Sequence, residues 1–63
     1  MSANVELTEV EIRAVRDSFR RDREAFLERA GVAKHTVHRA IAGEPILAIV
    51  RGVLMAACDE VAK

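Results

Sequence analysis

Between Thr8 and Phe19 the apolar positions Ile12, Val15 and Phe19 recur at steps of three and four, with Arg13, Arg16 and Asp17 between them. That spacing stacks the apolar side chains on one face of an α-helix. Thr8 followed three residues later by Glu11 has the form of a capping box, and Glu9 adds negative charge to the first turn, so the helix is expected to start there. Beyond Phe19 two readings are open. Asp22 can cap a second helix that carries Phe26 and Leu27 to Ala30. Alternatively one helix runs from Thr8 to Ala30, since neither Gly nor Pro interrupts it. Asp22 falls on the apolar stripe that links Phe19 to Phe26, which favours a break.

Gly31 is expected to end this region in a left-handed conformation. A short helix over about Lys34 to Ala42 follows, with Val37, Ala40 and Ile41 inward, and Gly43 stops it. Glu44-Pro45 opens the last helix, about 45–61, because proline is tolerated in a first helical turn. From Ile46 to Cys58 that helix is apolar on nearly every side, with Arg51 the one charged residue before Asp59. A helix apolar all round must be covered all round. A chain of 63 residues covers one side only, so a second copy or another protein is expected on the other. Residues 1–7 are assigned at most to a flexible arm, and no segment has the pattern of a strand.

Composition narrows the class. Half of the residues are hydrophobic but only Phe19 and Phe26 are aromatic, so the core is built of aliphatic side chains, as suits packed helices. The single cysteine, Cys58, cannot form a disulfide within the chain, which suits a cytosolic protein, and it reads as a small buried apolar residue. No basic-then-apolar leader and no membrane-length apolar run is present, so a soluble cytoplasmic protein is expected. Formal net charge is zero, unlike a nonspecific nucleic-acid coat. Its distribution is uneven. Residues 1–28 hold seven acids and five bases, whereas 29–43 hold Arg29, Lys34, Arg39 and two histidines with no acid. A localised anion-binding surface is expected there.

The stretch from Arg23 to Gly43 reads as helix, glycine turn, helix, with Phe26, Ala30, Val32, Val37 and Ile41 placed to lock the two helices together. Such an arrangement holds a short helix rigidly enough to enter a DNA major groove. Arg29-Ala30-Gly31-Val32, then Thr36-Val37, Arg39 and Gly43 resemble the helix-turn-helix of phage Cro and repressor proteins and of lactose-repressor-type regulators. The resemblance covers about a third of the chain. It departs at Leu27, where the family usually has alanine, and at Ala33, where it commonly has a Ser or Thr cap.

The resemblance implies that Lys34, His35, His38 and Arg39 read bases, while Arg20, Arg21, Arg23 and Thr36 touch the DNA backbone. Arginine gripping guanine through two hydrogen bonds is worth ~1–3 kcal/mol of discrimination. The last helix is expected to form a two-fold interface through Ile46, Ile49, Val50, Val53, Leu54 and Ala57. Two stripes are candidates for its centre: Ile49, Val53 and Ala56, or Leu47, Leu54 and Cys58.

The expected protein is therefore all-α, a compact domain of four or five helices that binds an inverted-repeat operator in double-stranded DNA as a homodimer. A transcriptional regulator of phage or mobile-element type fits that description. The alternative is a small interaction module, an antitoxin, anti-repressor or adaptor docking through the apolar last helix. His35 and His38 lack a third ligand nearby, and no nucleophile has a positioned base. No metal, cofactor, small-molecule ligand or enzyme activity is expected.

Overall fold

The computed structural model describes residues 4–62. In chain order these form β1 (Asn4–Val5), α1 (Glu9–Arg21), α2 (Arg23–Ala30), α3 (Lys34–Ile41), β2 (Ile46–Leu47) and α4 (Ala48–Ala62). The domain is mainly helical, with four helices and a two-stranded antiparallel ribbon.

α1 starts where its sequence dictates. The Thr8 hydroxyl accepts from the Glu11 N–H at 3.2 Å, and the Thr8 N–H donates to Glu11 Oε1 at 2.8 Å. Both halves of the capping box are thus made, satisfying N–H groups that a helix start otherwise leaves unpaired. The second carboxylate oxygen of Glu11 pairs with Arg51 of α4, so one side chain caps α1 and ties it to the last helix. The backbone bond from Thr8, followed by the Arg51 guanidinium, holds the Glu11 carboxyl below its usual range.

Asp22 separates α1 from α2 and serves both. Its N–H donates to Ser18 O at 3.2 Å, closing α1, while its Oδ1 accepts from the Ala25 N–H at 3.1 Å, opening α2. Its extended backbone, φ −153° and ψ 90°, breaks the helix. Phe19 and Phe26 both turn inward across the break, with ring centroids 5.8 Å apart and planes 80° apart. Edge-to-face pairs of this kind add ~0.5–1.5 kcal/mol beyond their burial.

Every element except β1 gives a buried side chain to one core. Val15 and Phe26 are fully buried with Val37 and Leu54, and Leu7, Ala40, Ile46 and Ala57 close around them. Among the described residues no buried side-chain polar atom lacks a hydrogen-bond partner. α4 packs against α1 and α2, whereas α3 packs chiefly against α1. Cys58 is buried with a free thiol, as its composition-based reading expects, and burial pushes that thiol above its usual pKa.

Three expectations need correction. Residues 4–7 are not a loose arm: Asn4 pairs with Leu47 and Val5 with Ile46, and Leu7 is buried. The remainder of the expected arm, residues 1–3, lies outside the described residues. The last helix begins at Ala48 rather than at Pro45, because Ile46 and Leu47 are extended and find their backbone partners in β1. Finally, Ile46, Leu54 and Ala57 lie in the chain's own core, so they offer no surface to a partner. Of the residues expected at an interface, Ile49 is 74% exposed, and Val50 and Val53 are half-buried.

The Glu11 clamp has a pH signature. A carboxyl whose folded-state pKa is lowered stabilises the fold above its unfolded pKa, and the benefit disappears as pH falls through the folded value. Glu11→Gln is therefore expected to be less stable than the parent at neutral pH in guanidinium melts, with the gap closing in acid. A gap unchanged down to pH 2 would show that charge at Glu11 contributes nothing. Thr8→Ala, which removes the cap itself, is expected to cost about 1 kcal/mol.

Candidate nucleic-acid interface

The position of α3 is set by its two ends. At Gly31 the backbone turns left-handed, φ 68° and ψ 24°, and the Gly31 N–H donates to Leu27 O at 2.9 Å, closing α2. A Cβ built on Gly31 would meet nothing within 4 Å, so glycine is required there by backbone angle and not by crowding. Ala33 opens α3 without a side-chain cap, as its departure from the Ser/Thr pattern implies. The far end closes with paired bonds: the Gly43 N–H donates to Ala40 O at 3.1 Å and the Glu44 N–H to Arg39 O at 3.1 Å. With Gly43 at φ 84°, this is the Schellman arrangement that terminates helices. It also brings Glu44 beneath Arg39, whose Nε lies 3.4 Å from Glu44 Oε1.

Between these ends α3 divides cleanly. Val37 and Ala40 are fully buried and Ile41 half-buried, while Lys34, His35, His38 and Arg39 are all exposed. At 3.6 residues per turn the four exposed side chains span an arc of roughly 140° on one face. The four expected base readers are thus brought together on one surface. The Arg39–Glu44 pair is open to solvent on both sides, and exposed pairs contribute only ~0.2–1 kcal/mol. Arg39 is held loosely enough to exchange partners.

The residues expected at the backbone divide. Arg20 and Arg23 line a recess of about 380 Å³ beside α3, together with Arg16, Phe19, His38 and Ile41. The Arg23 guanidinium lies over the Phe19 ring, 5.5 Å from its centroid, and the His38 ring meets Phe19 nearly at right angles at 5.5 Å. No carboxylate lines this recess. Arg21 belongs elsewhere. It lines clefts that hold Asp59 and, separately, Asp22, Arg29 and Glu60, which puts it beside the acidic end of α4. Thr36 is half-buried and lines a cleft with Asn4, Arg39, Pro45 and the ribbon residues Ile46 and Leu47.

Arg16 is the residue that the sequence reading missed. Residues 16, 20 and 23 are separated by four and three, the spacing of one helical stripe, and this was the available signal. The short break at Asp22 preserves the stripe across two helices.

Helix packing also departs from expectation. α2 and α3 are not locked chiefly against each other; α2 leans on α4 and α3 on α1. Leu27, the bulky residue ahead of the turn, packs against the core from a half-buried position. Among the described residues no group of three or more His, Cys, Asp or Glu could hold a metal ion, and no helix is long and apolar enough to cross a membrane. The chain matches no family model, no curated protein and no solved structure.

The turn yields a prediction. Gly31→Ala is expected to destabilise the fold by about 1–2 kcal/mol although it clashes with nothing, because an L-residue resists the left-handed region. Gly31→Asn is expected to cost less. Equal losses for both in denaturant melts would point to a cause other than backbone conformation.

Proposed function

We propose that the chain is a sequence-specific DNA-binding transcriptional regulator of helix-turn-helix type, with α2 as the positioning helix and α3 in the major groove. The observation that carries this reading is the exposed arc of Lys34, His35, His38 and Arg39, two cations and two imidazoles, on a helix whose opposite face is buried. Lys34 and Arg39 reach base edges, Arg39 by exchanging Glu44 for guanine. Arg20 and Arg23 grip the sugar-phosphate backbone beside it. Such division between positioning and reading contacts is usual at DNA.

One eight-residue helix is about 12 Å long, and the whole chain extends 32 × 21 × 19 Å. A single copy therefore reads one half-site. We assign dimerisation to the outward stripe of α4, centred on Ile49, Val53 and Ala56; the alternative stripe containing Leu54 and Cys58 is buried. Two copies would place two α3 helices about one DNA turn (~34 Å) apart on an inverted repeat. The exposure of Ile49 equally favours a second reading, docking of a different protein on α4, which requires no DNA affinity.

Selection from random duplexes followed by fluorescence anisotropy tests the proposal. Lys34→Ala/Arg39→Ala is expected to lose about 1–3 kcal/mol per base contact on the selected site. Full sequence-selective binding by the double variant, with its helical circular dichroism intact, would exclude α3 as the reading element. Ile49→Glu places a charge on the outward face without touching the core. It is expected to sediment as a folded monomer; an unchanged dimer would remove α4 from the interface, and a protein monomeric from the start would remove the dimer.

A further inference from the structure

The recess beside α3 has a composition that base reading does not explain. Its floor is Phe19, 95% covered, and therefore closed to stacking by a nucleobase. Its rim carries Arg16 and Arg20 from α1, Arg23 from α2 and His38 from α3. Three cations and an imidazole converge from three helices, with no carboxylate among the lining residues. Bringing like charges together opposes folding unless an anion is supplied. The aromatic floor restrains two of them: Arg23 lies over the Phe19 face, a cation–π contact worth ~0.5–1 kcal/mol at exposed sites, and the His38 ring is packed edgewise against the same ring. Guanidinium donors that converge on one recess are suited to the oxygens of a phosphate.

We infer that Arg16, Arg20, Arg23 and His38 form a seat for one phosphate diester of the DNA backbone, so that His38 holds phosphate and is not a base reader. The inference rests on the proposed DNA-binding reading and changes it in two respects. Arg16 joins the contact surface, making α1 part of the DNA interface. Sequence reading contracts to Lys34, His35 and Arg39.

The groups facing His38 are Arg16 and Arg20 on α1 and Arg23 on α2, with Lys34 one turn away on α3. Asp17 lies beside Arg16 at 4.0 Å in an exposed pair.

Arg16→Gln/Arg20→Gln and His38→Gln test this, measured against a selected duplex and a random one over a salt series. The arginine double variant is expected to weaken binding to both duplexes by the same factor, about five- to tenfold, and to lower the salt slope by about one. His38→Gln is expected to keep the parental base preference while weakening binding to both duplexes by one common factor. In parallel, inorganic phosphate at millimolar concentration is titrated into 15N-labelled protein. It is expected to shift the His38 ring resonances in the parent but not in Arg16→Gln/Arg20→Gln.

Unchanged DNA affinity and salt slope in the arginine variant, with no phosphate effect at His38, would overturn the seat while leaving α3 as the reader. A changed base preference in His38→Gln would return His38 to the bases and overturn its assignment. Absence of any DNA binding by the parent, with His38 still answering to phosphate through Arg16 and Arg20, would retain an oxyanion site and remove the DNA reading.

Discussion

Phe19 is the side chain on which this fold and its cationic surface both depend. It closes the buried face of α1, meets Phe26 across the helix break, and supports Arg23 and His38 on the outside. One ring therefore belongs to the core and to the surface at once. Small domains have few residues to divide between these tasks, since a chain of this size buries only about 60% of its unfolded surface. Here the orientation of α3 follows from packing on α1, and the cations beside α3 inherit their positions from the same contact.

The break at Asp22 is the second element of this arrangement. A continuous helix would carry Arg23 further along the α1 axis. With Asp22 extended, α2 turns back onto α4 while Arg23 remains above Phe19. The Asp22 carboxylate caps the new helix, so a single residue supplies the bend and satisfies the backbone that the bend exposes. The Schellman closure at Gly43 acts similarly at the other end of α3, where it also supplies Arg39 with an exchangeable partner, Glu44.

Signals confined to one turn of backbone were legible in the sequence. The Thr8–Glu11 box, the Asp22 break, the glycine at position 31, the uncapped Ala33 and the two-sided α3 each follow from adjacent residues and the helical period. The ribbon was not legible, because two-residue strands are too short to show alternation. Their pairing joins residues more than forty positions apart in sequence. The rotation of α4 was hidden for a different reason: with apolar side chains on nearly every side, nothing in the pattern distinguishes Leu54 from Ile49. Packing decided it, sending Leu54 inward and Ile49 out. The arginines failed at the same level. Arg20 and Arg21 are neighbours in sequence, yet a helix separates adjacent residues by about 100°, so only Arg20 shares a surface with Arg16 and Arg23.

Net neutrality conceals a polarised molecule. The recess beside α3 draws its arginines from α1 and α2 and has no acid among its lining residues, whereas Asp59 and Glu60 of α4 lie near Arg21 and Arg29 in other clefts. A chain with this division gains little long-range attraction for a polyanion, since net charge governs the field at distances beyond the Debye length, about 8 Å at physiological salt. At contact the local surface dominates instead. The acids near Arg21 and Arg29 offset the charge of those arginines, whereas no acid lines the recess beside α3. Neutral composition is therefore compatible with a local gathering of arginines, and the helix break above Phe19 contributes to that gathering.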